Sequence, residues 1–84
     1  MRGSPEGIPL SLAGLRPGQR GRIKEYTASD PDLLRLMELG LVPGQEIEFL
    51  KIAPLGDPIE VRIMDYDLCL RKSDADRIPV EPLS

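Results

Sequence analysis

The 84-residue chain has no histidine and no tryptophan, one cysteine, one phenylalanine and two tyrosines. Without histidine there is no Ser-His or Cys-His couple for nucleophilic catalysis and no histidine-based metal cluster. A single cysteine forms no internal disulfide, which fits a reducing compartment. With so few aromatic rings the core has to be aliphatic, built from leucine, isoleucine, valine and methionine. No apolar run approaches the ~20 residues of a membrane-spanning helix, so no direct membrane insertion is expected. The first ten residues also lack the apolar stretch of a secretory signal. A basic excess is missing too, since eleven Lys and Arg stand against fourteen Asp and Glu, for a net charge of −3. Phosphate neutralisation dominates affinity for nucleic acids, so this balance argues against a nucleic-acid partner.

What is present points to one small soluble domain. Apolar residues make up 40% of the chain and charged ones 30%, while nine prolines and eight glycines punctuate short elements. A chain of this length buries roughly 60–65% of the surface its unfolded form exposes, so its stability margin is thin. Residues 1–8 read as a tail, in which Met1-Arg2-Gly3-Ser4 fits either a vector remnant or a native start, and residues 9–82 read as the domain.

Leu10, Leu12 and Leu15 form a lead-in that ends at the turn Arg16-Pro17-Gly18. A strand is expected from Arg20 to Tyr26, with Arg20, Arg22 and Lys24 on one side and Ile23 on the other. Asp30 then offers an N-cap, Pro31 suits the first helical position, and Asp32 complements the helix dipole. Leu33, Leu34, Leu36, Met37 and Leu39 supply the apolar content of this helix, which Gly40 ends after about nine residues. After a second Pro43-Gly44 turn, Gln45 to Ala53 alternates but changes phase: Ile47 and Phe49 share one side, Leu50 and Ile52 the other. Such a switch implies a bulge, or a strand passing from one sheet to another.

Pro54 to Pro58 is a turn-rich connector. Ile59, Val61 and Ile63 alternate with polar residues, Asp65-Tyr66 is a candidate hairpin loop, and Leu68 and Leu70 alternate with Asp67 and Cys69 on the return. Ser73 to Asp76 suits a single helical turn, and Ile78 and Val80 a last strand. About five short strands and one short helix favour a mainly β, SH3-like barrel, because closure removes exposed edges. An open α+β sheet is the competing arrangement.

Three segments in order carry a family pattern: Arg35-Leu36-Met37-Glu38-Leu39-Gly40-Leu41-Val42-Pro43-Gly44, then Ala53-Pro54-Leu55-Gly56-Asp57-Pro58, then Val61-Arg62-Ile63 through Leu68-Cys69-Leu70-Arg71. With Leu15-Arg16-Pro17-Gly18 ahead of them, the chain resembles the FeoA family of small cytoplasmic accessory proteins in bacterial ferrous iron uptake. The resemblance implies an SH3-like barrel with an inserted helix, no enzymatic activity, and association with the FeoB permease on its cytoplasmic side. Asp65 stands where the family commonly has glycine in the hairpin. Similar barrels end iron-dependent repressors, so an alternative reading is an Fe(II) or other divalent-metal carrier or sensor domain.

A tight ferrous site needs several converging ligands, and the chain offers scattered carboxylates with one Cys and three Met. Neither a cofactor nor a dedicated metal site is expected. Cys69 lacks a base to activate it, and Asp65, Asp67, Asp74 and Asp76 sit where turns favour aspartate. The basic face of Arg20, Arg22 and Lys24 either steers an acidic partner or pairs across strands with Glu46, Glu48 or Glu60. The helix carries a wider apolar arc than one core-facing stripe requires. Leu36, Met37, Leu39 and Leu41, with Leu55, Gly56 and Asp57 of the connector, are therefore the candidate partner-binding residues. An edge strand or the helix face leaves a homodimer open.

Overall fold

The computed structural model describes residues 10–83. The readings placed on residues 1–8 and on Pro9 lie outside them. Five antiparallel strands run as β1 (Arg20–Ile23), β2 (Glu46–Ile52), β3 (Ile59–Ile63), β4 (Tyr66–Leu70) and β5 (Val80–Leu83), with α1 (Pro31–Glu38) after β1 and α2 (Lys72–Ala75) after β4. They form one sheet in the order β4-β3-β2-β1-β5. A 3-10 turn, Leu12–Gly14, precedes β1.

The phase change in β2 resolves into a bulge. Phe49 pairs with Val61 and Lys51 with Glu60, so Leu50 is an extra residue without a partner on β3. Alternation resets there, and the strand bends within one sheet instead of crossing into a second. Phe49 is fully buried and packs with Ile23, Leu36, Leu41, Ile47, Val61 and Ile63, while Leu12, Leu15, Ile78 and Val80 extend the same cluster. This is the aliphatic core that the composition requires.

The start and stop of α1 follow local rules. The Asp30 side chain accepts from the Leu33 amide at 3.0 Å, Pro31 occupies the first turn, and Gly40 leaves the helix at φ 112°. The helix is eight residues long, one shorter than expected. Both tyrosines then fasten the segment after it: Tyr66 Oη donates to the Leu39 carbonyl and Tyr26 Oη to the Leu41 carbonyl. Burial pushes the Tyr26 phenol above its ordinary pKa. Arg77, just past α2, forms an ion pair with Asp30, so the helix N-cap is also held from outside.

Besides α1, three elements differ from the sequence reading, the first being β1, which ends at Ile23 and leaves Tyr26 in the connector to the helix. The β3–β4 loop is Met64-Asp65, not Asp65-Tyr66, because Tyr66 already pairs with Ile63. The left-handed residue is Met64 at φ 57°, at the first loop position, where glycine normally serves in a two-residue hairpin. The last strand extends through Pro82, which is tolerated because β5 lies at an end of the sheet. The basic face is paired across strands in part: Arg20 and Arg22 share Glu46 at 2.8 and 3.3 Å, whereas Lys24 lies past the end of β1 and takes part in no ion pair among the described residues.

Two predictions arise from these features. Met64 is exposed and held in a conformation that costs a side chain energy, so Met64→Gly is expected to stabilise the fold by about 0.5–1 kcal/mol in urea unfolding. A loss of stability would show that the Met64 side chain makes a contact outweighing the strain. Hydrogen bonds from Arg77, then from the Leu33 amide, hold the Asp30 carboxyl below its ordinary 3.8. A depressed folded-state pKa stabilises fully above the unfolded value and is lost as pH falls through the folded one. Thermal midpoints taken from about pH 6 to about pH 2 should therefore fall less steeply in Asp30→Asn than in the parent chain. Equal acid limbs would remove Asp30 from the account.

Candidate partner-binding surface

The connector from β2 to β3 is short, but three ties hold it. The Ala53 amide donates to the Pro58 carbonyl at 3.0 Å and the Gly56 amide to the Ala53 carbonyl at 2.8 Å. Gly56 takes φ 90°, which closes the turn, and the Asp57–Pro58 peptide is cis. Asp57 Oδ1 accepts from the Lys72 amide at 2.9 Å, satisfying a free N–H at the start of α2. Within this braced loop Leu55 is 95% exposed. Gly56 and Asp57 thus act on Leu55 indirectly, one by turning the chain and the other by anchoring it.

The helix residues divide differently from the sequence reading. Leu36, at 1% exposure, and Leu41, at 0%, are core residues, so neither side chain is available to a partner. Leu36 points with Leu33 onto the sheet, and Leu41 is drawn inward beside the carbonyl that Tyr26 binds. Met37 is half-buried. Leu34 and Leu39 face outward, and the excess apolar arc is real at these two positions.

Leu39 does not stand alone. Its carbonyl receives the Tyr66 hydroxyl, and a Cβ on Gly40 would come within 2.6 Å of Tyr66 Oη. The helix end therefore sits on the β3–β4 hairpin, where Met64 and Tyr66 are exposed. Val42, Met64 and Tyr66 were not among the candidates from sequence. Only the turn between β3 and β4 could draw attention to Met64, and the loop expected from sequence, Asp65-Tyr66, begins one residue after it.

The two apolar features do not merge into one patch. Ile52 and Ile59 flank the Leu55 loop, whereas Ile63 and Tyr66 close the opposite hairpin. The length of β3, about 13 Å, separates them. One end of the molecule presents Leu55 over α2, and the other presents Leu39 with Met64 and Tyr66.

Several of the titratable groups are engaged in ion pairs. Arg62 Nε donates to Asp67 Oδ1 at 2.8 Å, and that bond holds the Asp67 carboxyl below its ordinary value. Asp74 is buried at the first turn of α2 and accepts from Arg71 at 3.4 Å, in keeping with the turn reading of these aspartates. Among the described residues no three His, Cys, Asp or Glu side chains gather as a metal cluster. Cys69 is exposed beside its cross-strand neighbour Glu60, at the rim of a shallow depression of about 170 Å³ lined by Lys51, Ala53, Pro58 and Ile59. No described helix is long and apolar enough to cross a membrane.

Known proteins share this arrangement. The FeoA domain matches residues 10–82. A Porphyromonas gingivalis Fe(2+) transport protein A/Fe(2+) transporter FeoB fusion protein is 48% identical over 75 residues, which cover 89% of this chain and 9% of the fusion. The chain thus spans less than a tenth of that relative's length. The solution structure of a FeoA-like protein from Clostridium acetobutylicum aligns with TM-score 0.83 at 33% identity, over 90% of this chain and 88% of that one. A Stenotrophomonas maltophilia FeoA, described as a procaryotic SH3 domain protein complexed with zinc, aligns with TM-score 0.72 at 29% identity, over 86% and 89%. One sheet order, one inserted helix and a match from Leu10 to Pro82 lead to the same conclusion: the chain belongs to the FeoA family, with its SH3-like fold.

Proposed function

We propose that this protein is a non-catalytic, cytoplasmic accessory component of ferrous iron uptake that binds a FeoB-type permease, with Leu55 as its principal contact. The observation that carries the reading is the P. gingivalis relative, in which a FeoA portion and the FeoB transporter are one polypeptide. Fusion holds two partners at high effective concentration, and a separate chain needs an interface to reach the same state. A preorganised apolar side chain is the economical form of such an interface, because little conformational entropy is lost when it docks. Leu55, on a loop fixed by Gly56, Asp57 and two prolines, answers that description. Leu39 and Met37 belong to a second face at the other end of the molecule, able to meet a different part of a large partner.

Capture of the detergent-solubilised permease by the purified chain tests this reading. Leu55→Glu is expected to weaken capture at least about tenfold while leaving the thermal midpoint unchanged, as truncation of a central apolar anchor does. Leu36→Ala should instead lower stability by about 2–5 kcal/mol, since it opens a cavity in the core. Undiminished capture by Leu55→Glu would remove the loop from the interface.

A divalent-metal carrier or sensor is the second reading, favoured by the zinc complex of the S. maltophilia relative. It calls for a stoichiometric Fe(II) site at Cys69. A featureless anaerobic titration would count against it.

A further inference from the structure

The two ends of the sheet are treated differently. At β5 the outer edge is covered: the Val80 amide donates to the Leu10 carbonyl at 2.9 Å and the Leu12 amide to the Ile78 carbonyl at 2.8 Å. Ser11 bridges to Pro79, and Pro82 removes a further donor. At β4 there is no such cover among the described residues. The strand pairs only with β3 and holds no proline, lysine or bulge, and its one charged residue, Asp67, is already neutralised by Arg62 within the chain.

Ladder parity identifies which groups face outward. Phe49 donates to the Gln19 carbonyl at 2.9 Å and accepts from the Gly18 amide at 2.7 Å, so its backbone faces the β1 side. Its neighbour Glu48 therefore faces β3, where it meets Arg62. Arg62 is thus turned away from β4, and its partner there, Asp67, directs its own N–H and C=O to the open edge. Cys69, two residues on, does the same, and both residues are exposed.

The charges flanking this edge are polar along its length. Asp65 and Asp67 lie at its beginning, and Arg71 and Lys72 immediately follow its end. Asp65 has no ion-pair partner among the described residues, and Arg71 keeps an exposed side chain beyond its long contact to Asp74. A strand with acid at one end and base at the other is complementary to an antiparallel copy of itself.

We infer that the β4 edge is a docking strand for a second copy of this chain, pairing antiparallel about a two-fold axis at Leu68. That register bonds Asp67 to Cys69 of the second copy, which matches the outward groups, and sets Asp65 opposite Arg71 twice over. Centring on Asp67 instead would oppose two carboxylates. The inference rests on the strand's own backbone groups and flanking charges, not on the permease reading, although Tyr66, which lies beside Leu39, belongs to the paired strand.

Sedimentation equilibrium of the full chain over a concentration series tests the inference. The parent chain is expected to dimerise, more weakly as salt rises. Asp65→Arg and Arg71→Glu should each raise the dissociation constant about tenfold by placing like charges opposite, and the double variant should return it to within about threefold. Unchanged far-UV circular dichroism keeps the variants comparable. A parent chain that stays monomeric to ~1 mM, single variants that dimerise as well as the parent, or a double variant that stays as weak as the singles would each overturn it.

Discussion

The termination of α1 is the constraint on which the rest of the molecule depends. A helix end leaves carbonyls without partners, and here the chain turns at Gly40 and offers the carbonyls of Leu39 and Leu41, on either side of that turn, to the only tyrosines present. Tyr26 comes from the connector ahead of the helix and Tyr66 from β4. A short helix has little stability of its own, so these bonds, with Asp30 capping the other end, decide how it lies on the sheet. Once it is fixed, Leu33 and Leu36 are committed to the core and Leu39 to the surface. The hairpin bearing Met64 and Tyr66 is brought against the helix end by the same bonds.

The Leu55 loop is stabilised by an unrelated set of contacts. Its geometry comes from Gly56, the backbone bonds at Ala53, and the Asp57 carboxylate on the first amide of α2. An exposed leucine on a loose loop would carry little information, since single apolar residues are common on protein surfaces. One held by backbone and side-chain ties is displayed in a defined direction. The protein therefore has two separately braced ends joined by a ribbon of three strands, an arrangement suited to contact with more than one surface. The sheet edges add to this contrast, because the lead-in residues and Pro82 close one of them and the other keeps its backbone groups free.

Features governed by near neighbours were legible in the residues. Asp30, Pro31 and Gly40 mark the helix because caps act over three or four positions, and the reset of alternation after Phe49 marks the bulge because side-chain direction has a period of two. The β3–β4 loop was displaced by one residue, since Asp65 tolerates left-handed geometry better than Met64 and local preference pointed to it. Pairing of Ile63 with Tyr66 overrode that preference.

The sequence by itself determined the aliphatic character of the core, the order of the elements and the absence of histidine chemistry, because each follows from composition or from contacts within a few residues. Tertiary structure alone decided that Leu36 and Leu41 are interior while Leu55 is displayed, and that Leu55 and Leu39 lie at opposite ends. An apolar arc on a helix records how many faces are greasy, not which one meets the sheet. That choice rests on bonds such as Tyr66 to Leu39 and Tyr26 to Leu41, whose partners lie 27 and 15 residues apart.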